Sequence, residues 1–159
     1  MSPLQYITDP QNFNNWQALY DLLKQGFAPM EGRIDPPSSL NKLTPELLCE
    51  KAKVETLVIV QDGEQLAACV FLKPLEDAYY VGKLAVGDRY RGQGIARKLI
   101  ELAENVARKD SKDWLELQVR VELAENHATF AALDFVKTGE TAHAGYNRPT
   151  SITMRKRVG

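Results

Sequence analysis

The sequence predicts an α/β fold in which a mixed, mainly antiparallel sheet is flanked by helices. Three observations predict it. Two apolar, β-branched runs meet at Asp62-Gly63, the signature of an antiparallel hairpin. A long amphipathic helix, with apolar residues at Ile95, Leu99, Leu102, Ala103 and Val106, follows a glycine-containing loop and lies between two strand patterns. The remaining segments mix strands and helices without the regular alternation of a doubly wound parallel sheet. With 159 residues the chain has material for one domain, residues 1–159, with a sizeable core, and too little for two.

Each element rests on a local signal. Leu4-Gln5-Tyr6-Ile7 reads as a short strand, and Asp9-Pro10 as an N-cap followed by proline at the first helical position. Phe13, Trp16, Tyr20, Leu23 and Phe27 recur at helical spacing, so a first helix should end near Gln25 or Phe27. Residues 28–40 are rich in Pro, Gly and Ser and lack periodicity, which predicts a loop within the domain. Thr44-Pro45-Glu46 repeats the cap-then-proline signal and starts a second helix to about Lys53, with Leu47, Leu48 and Ala52 on its apolar side.

Residues 54–61 and 66–72 form the hairpin, residues 74–77 turn the chain, and residues 79–86 make the strand that delivers the glycine loop. The long helix should end near Lys109 or Asp110. Leu115, Leu117, Val119 and Val121 then alternate with Glu116, Gln118, Arg120 and Glu122, a period of two that gives a strand one apolar and one polar face. A helix from about Ala124 to Leu133, a strand from Phe135, a polar loop at 141–149 and a closing strand at 151–158 complete the chain.

Twenty basic residues against 21 acidic ones leave a formal net charge of −1, which gives no field for nucleic acid or an anionic membrane. No apolar run approaches the roughly 20 residues that span a bilayer, and Met1-Ser2-Pro3-Leu4-Gln5 lacks the basic start and apolar block of a signal peptide. The expectation is a soluble, cytoplasmic protein. Cys49 and Cys69 have no CxxC spacing and too few neighbouring ligands for zinc, so they read as buried free thiols and no metal site is expected.

The loop before the long helix carries the chemistry. The first N–H groups of a helix lack intrahelical partners and sit at the positive end of its dipole, so they bind anions, phosphate above all. A dinucleotide fingerprint needs a third glycine where Arg97 stands, and a P-loop needs Gly-Lys-Ser/Thr; neither is present. Arg91-Gly92-Gln93-Gly94-Ile95-Ala96 has instead the form Arg/Gln-x-x-Gly-x-Gly/Ala, directly after a strand ending Leu84-Ala85-Val86. By residue chemistry alone, a glycine turn that merely caps a core helix satisfies the same pattern.

Strand, motif and long helix together resemble the pyrophosphate-binding signature of the GNAT superfamily, the acetyl-CoA-dependent N-acyltransferases, and the order of elements matches that fold over nearly the whole chain. The resemblance implies central strands that splay apart to admit the pantetheine arm of acetyl-CoA. It also implies that backbone groups of Leu84, Ala85 and Val86 align that arm, while amides of Arg91, Gly92, Gln93, Gly94, Ile95 and Ala96 hold the pyrophosphate. The implied reaction is direct attack of an amine on the thioester in a ternary complex. The resemblance likewise implies an amine-bearing acceptor, a small molecule or a peptide.

The chain departs from the family pattern where a general acid is expected. Many members place a tyrosine four residues before a Gly-Phe pair; here the pair reads Asp134-Phe135 and the position holds Phe130, which has no proton to donate. Asn126 lies four residues ahead of Phe130, where the family often has Asn seven ahead, and is assigned with Phe130 to the cofactor's surroundings. Catalytic duty is therefore assigned to the loop before the last strand, where the imidazole of His143 could relay the amine proton and the hydroxyl of Tyr146 could donate to sulfur.

His127 reads as a helix N-terminal residue. Glu116 and Glu122 are bases acting through water, or members of a polar face that is solvated or packed in a homodimer. Lys83 is either salt-bridged or a substrate contact, and Arg33 with Asp35 fits a zwitterionic acceptor. Loss of the usual tyrosine also admits a different class of function, a CoA-binding regulatory or interaction module without turnover. Acyl transfer to a hydroxyl would need a stronger base than any visible here.

Overall fold

The computed structural model describes residues 3–159. In chain order its strands are β1 (Gln5–Thr8), β2 (Thr56–Asp62), β3 (Gln65–Pro74), β4 (Ala78–Val86), β5 (Trp114–Arg120), β6 (Val136–Thr141) and β7 (Ser151–Arg157). The helices are α1 (Trp16–Phe27), α2 (Pro45–Val54), α3 (Ile95–Lys109) and α4 (Ala124–Ala132). All seven strands join one sheet in the order β1-β2-β3-β4-β5-β7-β6. Every pairing is antiparallel except β4 with β5, which are joined by the crossover through α3.

Alternation along the strands divides the core into two layers. In β2, Val58 and Val60 join the cluster under α3, where Leu99, Ile100 and Ala103 are buried. Leu57 and Ile59 face the other way, against Leu19 and Leu23 of α1 and Leu48 of α2. A period of two in the strand and of 3.6 in the helices thus produces a sheet covered on both faces. Burial of each such leucine contributes about 1.5–3 kcal/mol.

Three local expectations are corrected. Asp9 does not cap α1: its backbone sits at φ 53° and its N–H donates to the carbonyl of Leu57 at 2.7 Å, so the sheet claims it. The cap is Asn15, whose side chain accepts from the Ala18 N–H, and Phe13 lies before the helix, edge-on against Trp16 with ring centroids 4.8 Å apart. Leu47 is 50% exposed, whereas Leu48 is fully buried and Ala52 packs partly buried against the same core. Cys49 is only partly buried, whereas Cys69 is fully so, and burial pushes its thiol up to about 12, far from a reactive thiolate.

The segment between α1 and α2 is a loop as expected, bracketed by 3-10 turns at Ala28–Met30 and Ser39–Lys42.

Candidate active site

The central feature is a gap in the sheet. β4 and β5 pair only through Ala78↔Trp114, Tyr79↔Leu115 and Tyr80↔Glu116, and beyond that point they diverge. β5 stays paired with β7 along its full length and β4 with β3 as far as Val86, so the sheet parts between β4 and β5. β4 also carries a bulge: Cys69 faces Ala85 and Phe71 faces Gly82, so Lys83 and Leu84 together oppose Val70. Lys83, at φ 54°, takes the left-handed backbone that the bulge requires.

The divergence opens into a cavity of about 1180 Å³ whose walls include Leu84, Ala85 and Val86 from β4 and Leu117, Gln118 and Val119 from β5. A second cavity of about 470 Å³ adjoins it over the N-terminus of α3, lined by Arg91, Gly92, Gly94, Ile95 and Ala96. Val86, Arg91, Ala96 and Thr129 belong to both walls, which makes the two spaces one continuous cleft. Gly92 and Gly94 have φ of 77° and 78°, and an added Cβ at either would meet nothing within 4 Å. Their glycines therefore satisfy the backbone turn and keep open the space into which the first amides of α3 point. This fits a diphosphate.

The motif side chains behave differently from their amides. Ile95 is 2% exposed and belongs to the core, so only its backbone is available to a ligand. Arg91 pairs with Asp88 at 3.1 Å on the surface. Gln93 is exposed and lies outside both cavity walls. Asn126 and Phe130 of α4 line the larger cavity, and the Phe130 ring packs edge-on against Phe135 with centroids 5.9 Å apart.

The opposite end of the cleft is built by long-range contacts with the Pro-rich loop. Arg33 forms a two-pronged ion pair with Glu125 at the start of α4. The carboxylate of Asp35 accepts from the Tyr146 hydroxyl at 2.6 Å and from Arg148 at 3.1 Å. Arg120 donates to the carbonyls of Pro36 and Pro37, and Glu122 accepts from the Asp35 N–H. Loop, α4 and the β6–β7 connection are thus tied over one cavity.

His143 and Tyr146 both line that cavity, held in one turn by a Tyr146 N–H to His143 carbonyl bond. The His143 ring and backbone N–H both meet the Thr150 hydroxyl, and the phenol of Tyr146 is raised above its ordinary range by its bond to Asp35. Neither Arg33 nor Asp35 is an open charge awaiting ligand, because each already has a partner within the protein. His127 is placed as expected, at the first turn of α4, with its ring nitrogen 2.9 Å from the Arg120 carbonyl.

Glu116 is corrected from a candidate base to a structural anion: Arg155 donates to it at 2.9 Å while also bridging Asp77. Thr129 and Gln118 enter the cleft walls without any sequence signal, since neither belongs to a motif nor interrupts a periodicity. Among the described residues no group of three or more His, Cys, Asp or Glu side chains is disposed to hold a metal ion. No helix among them is long and apolar enough to cross a membrane.

Comparison with known proteins agrees with this geometry. The yeast Saccharomyces cerevisiae N-alpha-acetyltransferase 30 is 34% identical over 58 residues, a match that covers 36% of this chain and 33% of that protein. The chain therefore spans a third of the length of that relative. The structure of the ribosomal-protein-S18-alanine N-acetyltransferase from Escherichia coli superposes with a TM-score of 0.67 at 17% identity, covering 98% of this chain and 95% of the other. A Bacillus subtilis acetyltransferase solved in complex with CoA gives 0.68 at 15% identity, covering 99% and 100%. At such identities the structural matches speak for the fold. The sequence model described as "Acetyltransferase (GNAT) family" matches residues 16–135, well over half the chain and the whole run from α1 through the glycine turn to α4, and with it this chain belongs to the GNAT acetyltransferase family.

Proposed function

We propose that this chain moves an acetyl group from acetyl-CoA to a primary amine of a small molecule or peptide by direct attack in a ternary complex. The observation that carries the reading is the continuity of the β4–β5 opening with the two-glycine N-terminus of α3. One end offers amides to a diphosphate, and the other end is wide enough to admit an acceptor. Acetyl-CoA, when bound, supplies the acyl group as a reactive thioester.

The protein's own residues supply positioning and proton movement. Amides from Arg91 to Ala96 hold the anionic end, and the backbone of Leu84, Ala85 and Val86 aligns the extended arm, so that binding geometry carries much of the rate. An alkylammonium near pKa 10.4 is mostly protonated at neutral pH. His143 takes its proton, and the nitrogen then bonds to the acetyl carbon as the carbon–sulfur bond breaks. Tyr146, whose hydroxyl is held by Asp35, gives a proton to the departing sulfur, and the second proton that the nitrogen sheds as the amide forms restores the phenol. Asn126 and Phe130 border the arm from α4.

Protein N-termini are one acceptor class to test, given the names of the yeast and E. coli relatives. We also place the protein in the cytoplasm, where free thiols such as Cys49 and Cys69 persist. The missing hydroxyl at Phe130 favours a second reading, a CoA-binding module without turnover. Calorimetric titration with acetyl-CoA, followed in the same sample by thiol release across a panel of amines, tests both. Binding with turnover is expected; binding without turnover on any amine selects the module, and absence of binding removes both.

A further inference from the structure

Five side-chain cations line the larger cavity, and four are accounted for. Arg33 is paired with Glu125 and Arg91 with Asp88. Arg120 spends two N–H groups on the carbonyls of Pro36 and Pro37, and Lys42 lies in solvent. Lys83 is different. Its side chain is half-buried in the cavity wall, and among the described residues its ammonium has one hydrogen-bond partner, the Ser39 hydroxyl at 3.4 Å. Among the described residues no carboxylate lies within salt-bridge distance of it.

Its neighbours relieve this only in part. From α2, Lys51 opposes its charge; Glu55, just past that helix, offsets it but is paired with Lys51 at 2.7 Å. Burial and Lys51 together pull the Lys83 ammonium below the ordinary lysine range. A half-buried cation without a counter-ion is unfavourable, and here it is held by a left-handed backbone inside a strand bulge. Such a position has a use if an anion arrives with the ligand.

The cofactor is not the source of that anion. Three residues of strand, about 10 Å of chain, separate Lys83 from the end of β4 at Val86, and the amides that suit a diphosphate lie beyond that point. Lys83 stands at the opposite end of the Leu84–Val86 segment, beside the Pro-rich loop. We infer that the acceptor is an amine that also carries a carboxylate, as an amino acid does, and that Lys83 is the specificity-determining residue that receives this carboxylate with the Ser39 hydroxyl beside it.

The inference rests on the transferase reading for the identity of the cleft, but its test separates the two. N-acetylated amino acids and their carboxamides, matched side chain by side chain, are titrated calorimetrically into the CoA complex of the parent, K83M and K83R proteins. Acetyl-CoA is titrated into each protein alone. All three residues carry a Cβ, so the left-handed backbone costs each variant the same. The parent should bind at least one carboxylate at least tenfold more tightly than its carboxamide. K83M should erase that preference, K83R should retain most of it, and acetyl-CoA affinity should stay within twofold throughout.

Equal affinity for carboxylates and carboxamides across the panel would overturn the inference while leaving the transferase reading intact. So would a preference that survives in K83M, or a loss of acetyl-CoA affinity in that variant, which would put Lys83 on the cofactor instead. Failure of the parent to bind acetyl-CoA at all would instead overturn the transferase reading.

Discussion

Substitution of Gly94 separates backbone strain from charge at the proposed diphosphate site. Gly94 is the residue before α3, with φ 78° and ψ 14° in the left-handed region, and a side chain built on it enters open space. Any L-residue there costs about 1–2 kcal/mol of stability, which for a domain of this size lowers Tm by about 2–8 °C. Glutamine and glutamate share that cost and nearly share a shape. They differ in charge: a carboxylate about 5 Å from a bound phosphate opposes it by about 3 kcal/mol at an effective dielectric constant of about 20. That is roughly a hundredfold in affinity.

In the absence of ligand the sign reverses, because an anion near a helix N-terminus is favourable by about 0.3–1 kcal/mol. G94E should therefore melt at or slightly above G94Q, yet bind acetyl-CoA about a hundredfold more weakly, and the gap should narrow as salt is raised. The assay is calorimetric titration at two ionic strengths alongside thermal melts of the free proteins. Equal acetyl-CoA affinity for the two variants, with both folded, would refute the assignment of this turn to the diphosphate.

Four further outcomes are expected. Tyr146→Phe and His143→Ala should each lower kcat about tenfold or more with acetyl-CoA affinity unchanged, as read by thiol release and calorimetry; parent-like turnover in both would leave positioning as the main source of rate. Arg155→Met should destabilise the fold by about 1–2 kcal/mol in thermal melts, because it strands the half-buried Glu116 carboxylate without its partner. The other ion pair of Arg155, with Asp77, sets a pH dependence. Arg155 holds Asp77 below the usual carboxylate range, so this contribution is present above the unfolded pKa of about 3.9 and is lost as pH falls below it toward the folded value. Acid unfolding of the parent should consequently show a loss in that window that R155M lacks. Leu99→Ala, at a fully buried position under the sheet, should cost about 2–5 kcal/mol and lower Tm correspondingly without altering the cleft's selectivity.

Several features of the site were legible because their signals are local. The glycine turn and α3 announce themselves through conformational demands and a 3.6-residue period, and the hairpin at Asp62-Gly63 forms where it is expected. The Thr44 cap is also met, its hydroxyl accepting from the Leu47 N–H at 3.1 Å. Asp9-Pro10 carried the same kind of signal and failed. Its N–H was claimed by Leu57, nearly fifty residues away in the chain, and the cap passed to Asn15.

Spacings of two to four residues therefore encode the elements, most of their apolar faces and the glycine turn before α3. The tertiary structure alone decided how β4 and β5 part and which charges are spent. Glu116 is consumed by Arg155, Arg33 by Glu125 and Asp35 by Tyr146 and Arg148. Among the described residues Lys83 has no carboxylate within salt-bridge distance, at the wall of the cleft. The physical reason is that a charge's availability depends on what lies within about 4 Å of it, and those neighbours come from segments whose sequence separation carries no periodic trace.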